Sequence, residues 1–245
     1  MSFLRDLSVV FAKEWRELKS SDSGWVTLST LAAFLAIVGV FVPWQLGPVW
    51  MGSPWPALIW VWIPMFIVTT VTADAVAGER ERRTLETLLS TRLSDAAILW
   101  GKWFACVVWV WVAMALCLPL GLLTLALTDG GGVALPSIGQ ALGVLAAAFA
   151  GASLGAAAGV LVSLGAQSVR HAQQVLAIGA LVFAFVPVGL LRVLPPTWTM
   201  GLVQVLAYGS PTRVAWVMAI GLAVASVPVL GTAQRRFRRG RIPLK

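Results

Sequence analysis

The stretch Trp103 to Leu127, WFACVVWVWVAMALCLPLGLLTLAL, holds no Asp, Glu, Lys, Arg or His. Wound as an α-helix it would be roughly 37 Å long, more than the ~30 Å of hydrocarbon in a bilayer. Lipid offers backbone groups no hydrogen-bond partner, so such a segment is stable there only as a helix that satisfies its own ladder. The same test, carried outward in both directions, finds five more uncharged apolar runs: Trp25 to Pro43, Pro56 to Ala73, Pro136 to Ala166, Ala172 to Leu191 and Val214 to Ala233. Together they predict an all-α membrane protein, a single domain over 1–245 with six transmembrane helices. Composition agrees: 59% of residues are hydrophobic, only 11% are charged, and mean hydropathy is +0.87. A water-soluble domain carries about 25% charged residues, and a disordered or nucleic-acid-binding chain lacks this apolar content.

Six spans put both termini on one side, and the 18 basic residues indicate which. Residues 1–24 hold Arg5, Lys13, Arg16 and Lys19, and the segment between spans two and three holds Arg80, Arg82, Arg83, Arg92 and Lys102. Arg170 follows, and the tail 234–245 adds Arg235, Arg236, Arg238, Arg239, Arg241 and Lys245. Only Arg192 and Arg213 fall on the opposite face, at span ends where long side chains reach the headgroups. The expectation is a multi-pass protein of the cell inner (plasma) membrane with cytoplasmic termini. The leader 1–24 contains Asp6, Glu14, Glu17 and Asp22 and no small-residue cleavage site follows the first apolar run, so that run is expected to stay as a span. Phe3, Leu4, Leu7, Val10, Phe11, Trp15 and Leu18 recur at helical spacing, which predicts an amphipathic helix lying at the inner interface, with Ser20 to Gly24 as an elbow.

The 13 tryptophans include Trp44, Trp50, Trp55, Trp60, Trp62 and Trp198 toward outer span ends and Trp15, Trp25, Trp100 and Trp103 toward inner ones, the pattern of an interfacial belt. Span four places small residues at every fourth position, Gly139, Gly143, Ala147, Gly151, Gly155, Gly159 and Ser163. Such a stripe lets another backbone approach closely, whether from the same chain or from a second copy. Cys106 and Cys117, eleven residues apart on one helix, would be about 16 Å apart along its axis and cannot bridge each other.

Between spans two and three, residues 74–102 hold half of the chain's ten acidic residues. Glu79 with Arg83, and Arg82 with Glu86, are i,i+4 pairs, while Leu85, Leu88 and Leu89 form an apolar edge. That spacing predicts a short amphipathic helix, and Ser94 or Asp95 suits the cap of the helix leading into span three.

The run GERERRTLETLLSTRLS, Gly78 to Ser94, followed by Gly101-Lys102 at a span start, resembles the cytoplasmic loop of type 2 ABC transporter permeases. Gly78, Glu79, Arg80, Glu81, Thr84, Leu85, Glu86, Leu88, Leu89, Ser94, Gly101 and Lys102 keep the family pattern; Arg83 stands where Gly is common and Arg92 where Pro is common. Ser168 to Gln174, SVRHAQQ, resembles the family's second cytoplasmic segment. The resemblance implies a permease subunit of an ABC exporter, with Glu79, Arg80, Glu81, Arg82, Arg83, Thr84, Leu85, Glu86, Leu88 and Leu89 forming a coupling helix against separate ABC ATPase subunits. It further implies a dimer, with a second permease copy or a sister permease, and ATP and Mg held by the partner ATPase. Residues 195–211 are too short to cross twice and too apolar for a free loop; an outer half-helix, as in type 2 exporters, or a flat interfacial segment fits them.

Other chemistry is not indicated. Gly101-Lys102 is followed by Trp103 and lacks the upstream glycine of a phosphate-binding loop, so no nucleotide or other cofactor is expected on this chain, nor enzymatic activity. The sole histidine, His171, has no nearby Cys or carboxylate to complete a metal site or a triad. Asp129 and Gly130 to Gly132 read as an outer turn. The basic tail next to a span end suits anionic lipid rather than nucleic acid. No titratable group is expected to be buried in the six-span body, which argues against ion-driven transport; Asp74, at the inner end of span two, is the nearest candidate. A six-span scaffold or assembly factor without transport activity is the alternative from another functional class. The transported substrate is not legible in any of these motifs.

Overall fold

The computed structural model describes residues 3–20, 29, 31–47, 49–81, 92–128, 135–166, 168–193 and 195–237. Among these the chain is helical, with no strand. The leader forms α1 (Phe3–Ser20). Helix α2 (Leu31–Leu46) contains a π-helical stretch, Leu35–Phe41. A short helix, α3 (Val49–Gly52), leads to α4 (Trp55–Ala73), which runs on through a π-helical turn, Asp74–Gly78, into Glu79–Glu81. Then come α5 (Asp95–Thr128), α6 (Ile138–Ser163), α7 (Val169–Val193), α8 (Pro196–Tyr208) and α9 (Pro211–Arg236).

Among the described residues, four helices are long and apolar enough to cross a membrane, at Leu58–Gly78, Asp95–Thr128, Ile138–Ser163 and Pro211–Arg236, and Leu31–Leu46 is a shorter apolar helix. Their low hydrophobic asymmetry follows from having apolar residues all round, because lipid on one side and protein on the other both accept them. The 13-residue α8 fills most of the expected outer segment 195–211. Residues 82–89 of the short helix expected from Glu79 to Leu89, most of the elbow at 20–24, the expected outer turn at 129–132 and the tail's last residues lie outside the described residues.

Helix α6 is the centre of the bundle, packed against α4 on one side and α9 on the other. Its small-residue stripe makes this possible. A Cβ on Gly151 would lie 2.7 Å from the Val61 carbonyl oxygen and one on Gly155 2.5 Å from that of Met65. One on Gly159 would lie 2.9 Å from the Thr72 Cβ, and one on Gly143 3.1 Å from the Trp216 ring. All four glycines therefore face neighbours within the chain. Trp216 also donates its indole N–H to the Gly139 carbonyl at 3.1 Å, so the α6 to α9 seam is polar as well as close.

Two tryptophans of the expected outer belt are core residues instead. Trp50 and Trp60 are 1% and 0% exposed and share a cluster with Phe34, Val38, Met114, Cys117 and Val144. Gly47, at φ +54°, turns the chain between α2 and α3 in a conformation that a side chain would oppose, and this aims Trp50 inward against Gly121. Trp44 and Trp198 are 57% and 69% exposed, as a belt requires.

Helix α5 begins at Asp95, as the expected cap at Ser94 or Asp95 implies, eight residues ahead of the uncharged run from Trp103. Ser94 caps it, its Oγ accepting the Ala97 N–H at 3.2 Å. Ile98 and Leu99 are buried with Val10 of α1, Val76, Val160 and Phe237, so the added turns are held by packing that a search for uncharged runs does not register. The polar stretch 74–102 is correspondingly helical at both ends.

Candidate functional site

The end of the bundle that carries α1 and Phe237 gathers nearly all of the described charge-to-charge chemistry. Helix α1 presents three edges there. Asp6, Val10 and Glu14, spaced i, i+4 and i+8, are buried against the bundle. Phe11 and Trp15 lie on an adjoining edge and pack on α5, with ring centroids 5.8 Å from Phe104 and 5.3 Å from Trp109 respectively. Ser8, Ala12, Arg16 and Lys19 are exposed on a third edge. Because Val10 meets α5 at Gly101, where an added Cβ would lie 2.6 Å from the Val10 Cγ1, the two helices cross almost backbone to backbone.

One turn of α1 further on, Glu14 meets Lys102. The Lys102 Nζ donates to Glu14 Oε1 at 2.7 Å and to the Ala75 carbonyl at 3.0 Å, and lies 2.9 Å from Glu79 Oε1. An ammonium has three N–H donors, and here each has an acceptor from a different segment: α1, the π-helical turn and Glu79–Glu81. The Lys102 side chain is 2% exposed and that of Glu14 5%, so this is a buried pair whose cost in desolvation is offset only by complete hydrogen bonding. Lys13 extends the cluster, with its Nζ 2.7 Å from Glu79 Oε1, 3.3 Å from Glu14 Oε1 and 3.2 Å from the exposed Glu17.

The electrostatics follow from that geometry. Burial alone would push the Glu79 carboxyl up, but the Lys102 charge, with Lys13 beside it, outweighs burial and holds the group below the usual carboxylate range. Burial likewise opposes the Lys13 ammonium, yet its hydrogen bond with Glu79 and the charges of Glu14, Glu79 and Glu17 keep it well above the usual lysine range. Both groups are thus charged throughout the physiological range. The expectation of no buried titratable group in the body is corrected here: Lys102 lies inside a helix long enough to span, and the carboxylates that make this tolerable come from elsewhere in the chain.

Of the sequence-predicted residues, Glu79 is in this cluster, and Glu81 turns outward. Glu81 Oε2 accepts the backbone N–H of Val169 at 3.4 Å, and Ser168 Oγ caps the same α7 start through the His171 N–H at 3.2 Å. A carboxylate at a helix N-terminus complements its dipole. The two segments singled out in the sequence, 78–94 and 168–174, therefore meet. Arg80 lies on the same short helix, while Arg82, Arg83, Thr84, Leu85, Glu86, Leu88 and Leu89 are outside the described residues. Asp74 is exposed within the π-helical turn and His171 is exposed beside Arg170. Sequence reasoning missed Lys13, Glu14 and Lys102 as one site. The row Asp6, Val10, Glu14, one residue per turn, is the signal that marks a protein-facing edge.

A sequence profile described as ABC-2 family transporter protein matches residues 53–220, more than half of the chain. The chain belongs to the ABC-2 transporter family. No curated protein matches the sequence. As an ABC-2 permease it is a multi-pass membrane protein, and membership implies association with ABC ATPase partners. The matched residues include Glu79, Glu81 and Lys102 of the site; α1, with Lys13 and Glu14, lies before them.

Proposed function

We propose that this permease is the membrane subunit of an ATP-driven exporter. In this reading α2, α4, α5, α6, α7 and α9 are six spans, and α1, Glu79 to Glu81 and the start of α7 lie on the cytoplasmic face, a reading that the distribution of Lys and Arg supports. Separate ATPase subunits bind ATP and Mg and dock beneath residues 79–89, and this chain hydrolyses nothing itself. It works as a dimer, with a second copy or a sister permease. The observation that carries the reading is the meeting of the two family-like polar segments, Glu81 on the Val169 N–H, at the same end as α1. A docking subunit that pushes on Glu79 to Glu81 there reaches α4, α5 and α7 at once. The α6 glycines Gly143, Gly151, Gly155 and Gly159 hold the neighbouring spans at the close spacing this requires.

Co-expression of the chain with an ABC ATPase, followed by co-purification and measurement of permease-stimulated ATP hydrolysis, tests the proposal. Stimulation that falls in Glu81→Ala and Glu86→Ala, with membrane insertion unchanged, is the expected result. An ATPase that binds in no nucleotide state, or wild-type stimulation in both variants, overturns it and favours a scaffold.

A further inference from the structure

We infer that α1 is a moving part of the coupling unit, positioned on α5 by Gly101 and Lys102, so that the leader and residues 75–79 travel with the start of α5 as one body. This rests on the proposed coupling role of residues 79–89 and extends it to a helix outside the family match. Three observations carry it. Gly101 has no side chain where Val10 seats, and a Cβ there would stand 2.6 Å from the Val10 Cγ1. Lys102, the next residue, holds Glu14 of α1, the Ala75 carbonyl and Glu79 with a single ammonium. The carbonyl it holds belongs to a π-helical turn, a local departure from the α-helical ladder that lends itself to two arrangements.

The consequence is mechanical. Withdrawing either Glu14 or Glu79 from Lys102 leaves a buried charge short of a partner, which resists separate movement of the two carboxylates. A membrane-surface anchor would need only the apolar edge of α1; a buried carboxylate aimed at the third span is not required for anchoring. Glu14 and Lys102 are accordingly positioning residues, acting on residues 79–89 through the shared ammonium rather than by touching an ATPase.

The test has two arms. In the chain alone in nanodiscs, amide exchange across 3–20 is expected to rise on the order of a hundred-fold in Lys102→Met and Glu14→Gln, with a change at the exposed Arg5, Arg5→Gln, as the unchanged control. Native exchange in both variants overturns the inference. In the complex with an ABC ATPase, stimulated hydrolysis is expected to fall about ten-fold in Glu14→Gln and in Gly101→Ala while the ATPase still co-purifies. Adding Val10→Ala to Gly101→Ala makes room for the new Cβ and is expected to restore stimulation. Full stimulation with α1 released, or no recovery on adding Val10→Ala, overturns the coupling role of α1. A wild-type chain that binds no ATPase overturns the proposed function and the coupling role with it, and the exchange arm still decides whether Lys102 holds α1.

Discussion

The ammonium nitrogen of Lys102 sits 2.7 Å from the Glu14 carboxylate, although the two residues are 88 positions apart. With Glu79 on the same nitrogen, the pair ties the first helix, the end of the second expected span and the start of the third into one charged knot within an apolar protein.

The knot's stability should depend on the shape of the cation as well as its charge. Lys102→Met leaves Glu14 without its buried partner, and breaking such a pair typically costs about 3–5 kcal/mol. Lys102→Arg keeps the charge, but a planar guanidinium cannot address three acceptors around one nitrogen, so it is expected to recover only part of the loss. Thermal unfolding midpoints of the purified variants, ranked wild type, Lys102→Arg, Lys102→Met, check this; an Arg variant equal to wild type contradicts it.

Dependence on pH follows from the two shifted groups. Glu79 titrates below its ordinary value of 4.5, so its stabilisation is complete above about 4.5 and is lost as pH falls through the lower folded value. Lys13 titrates above its ordinary 10.5, so its stabilisation is complete below about 10.5 and is lost as pH rises through the folded value. The stability difference between wild type and Glu79→Gln should therefore be flat across neutral pH and shrink in acid. Paired denaturation series from pH 3 to pH 8 read this directly; a difference that grows in acid has the wrong sign.

Glycines along the spans should divide into two classes. Gly151→Ala and Gly155→Ala drive a Cβ into the backbone oxygens of Val61 and Met65, and overpacking of this kind costs about 1–3 kcal/mol. Gly179 has nothing within 4 Å of an added Cβ, so Gly179→Ala should be neutral or stabilise its helix by up to about 1 kcal/mol. Unfolding of the three variants in one detergent separates the classes.

Tryptophan quenching should distinguish belt from core. Trp44 and Trp198 are exposed, whereas Trp60 is fully buried. Brominated lipid should quench single-tryptophan variants retaining Trp44 or Trp198 and leave the Trp60 variant almost unaffected. Strong quenching of Trp60 would contradict the packing of α4 in the core.

The helices of the bundle were legible to different degrees. The uncharged stretches at 56–73, 103–127, 136–166 and 214–233 each correspond to a helix long and apolar enough to span. The start of α5 was legible from its cap at Ser94, but the packing of Ile98 and Leu99 on α1 and Phe237 that holds its first turns was not, because those partners are remote in the chain. The site was half legible. Glu79 and Glu81 stand in a recognisable local pattern, but Lys13, Glu14 and Lys102 have no local pattern that joins them.

Sequence alone settled the class of this protein, because the free energy of placing twenty apolar residues in lipid depends on which residues they are and hardly on their neighbours. It also settled where polar chemistry is concentrated, since charge is scarce enough here to be located by counting. Which carboxylate meets which ammonium was decided only by the tertiary structure. That outcome depends on the rotation and height of whole helices, set by contacts such as Val10 on Gly101 and Met65 on Gly155, and a shift of one residue along α1 would turn Glu14 away from Lys102.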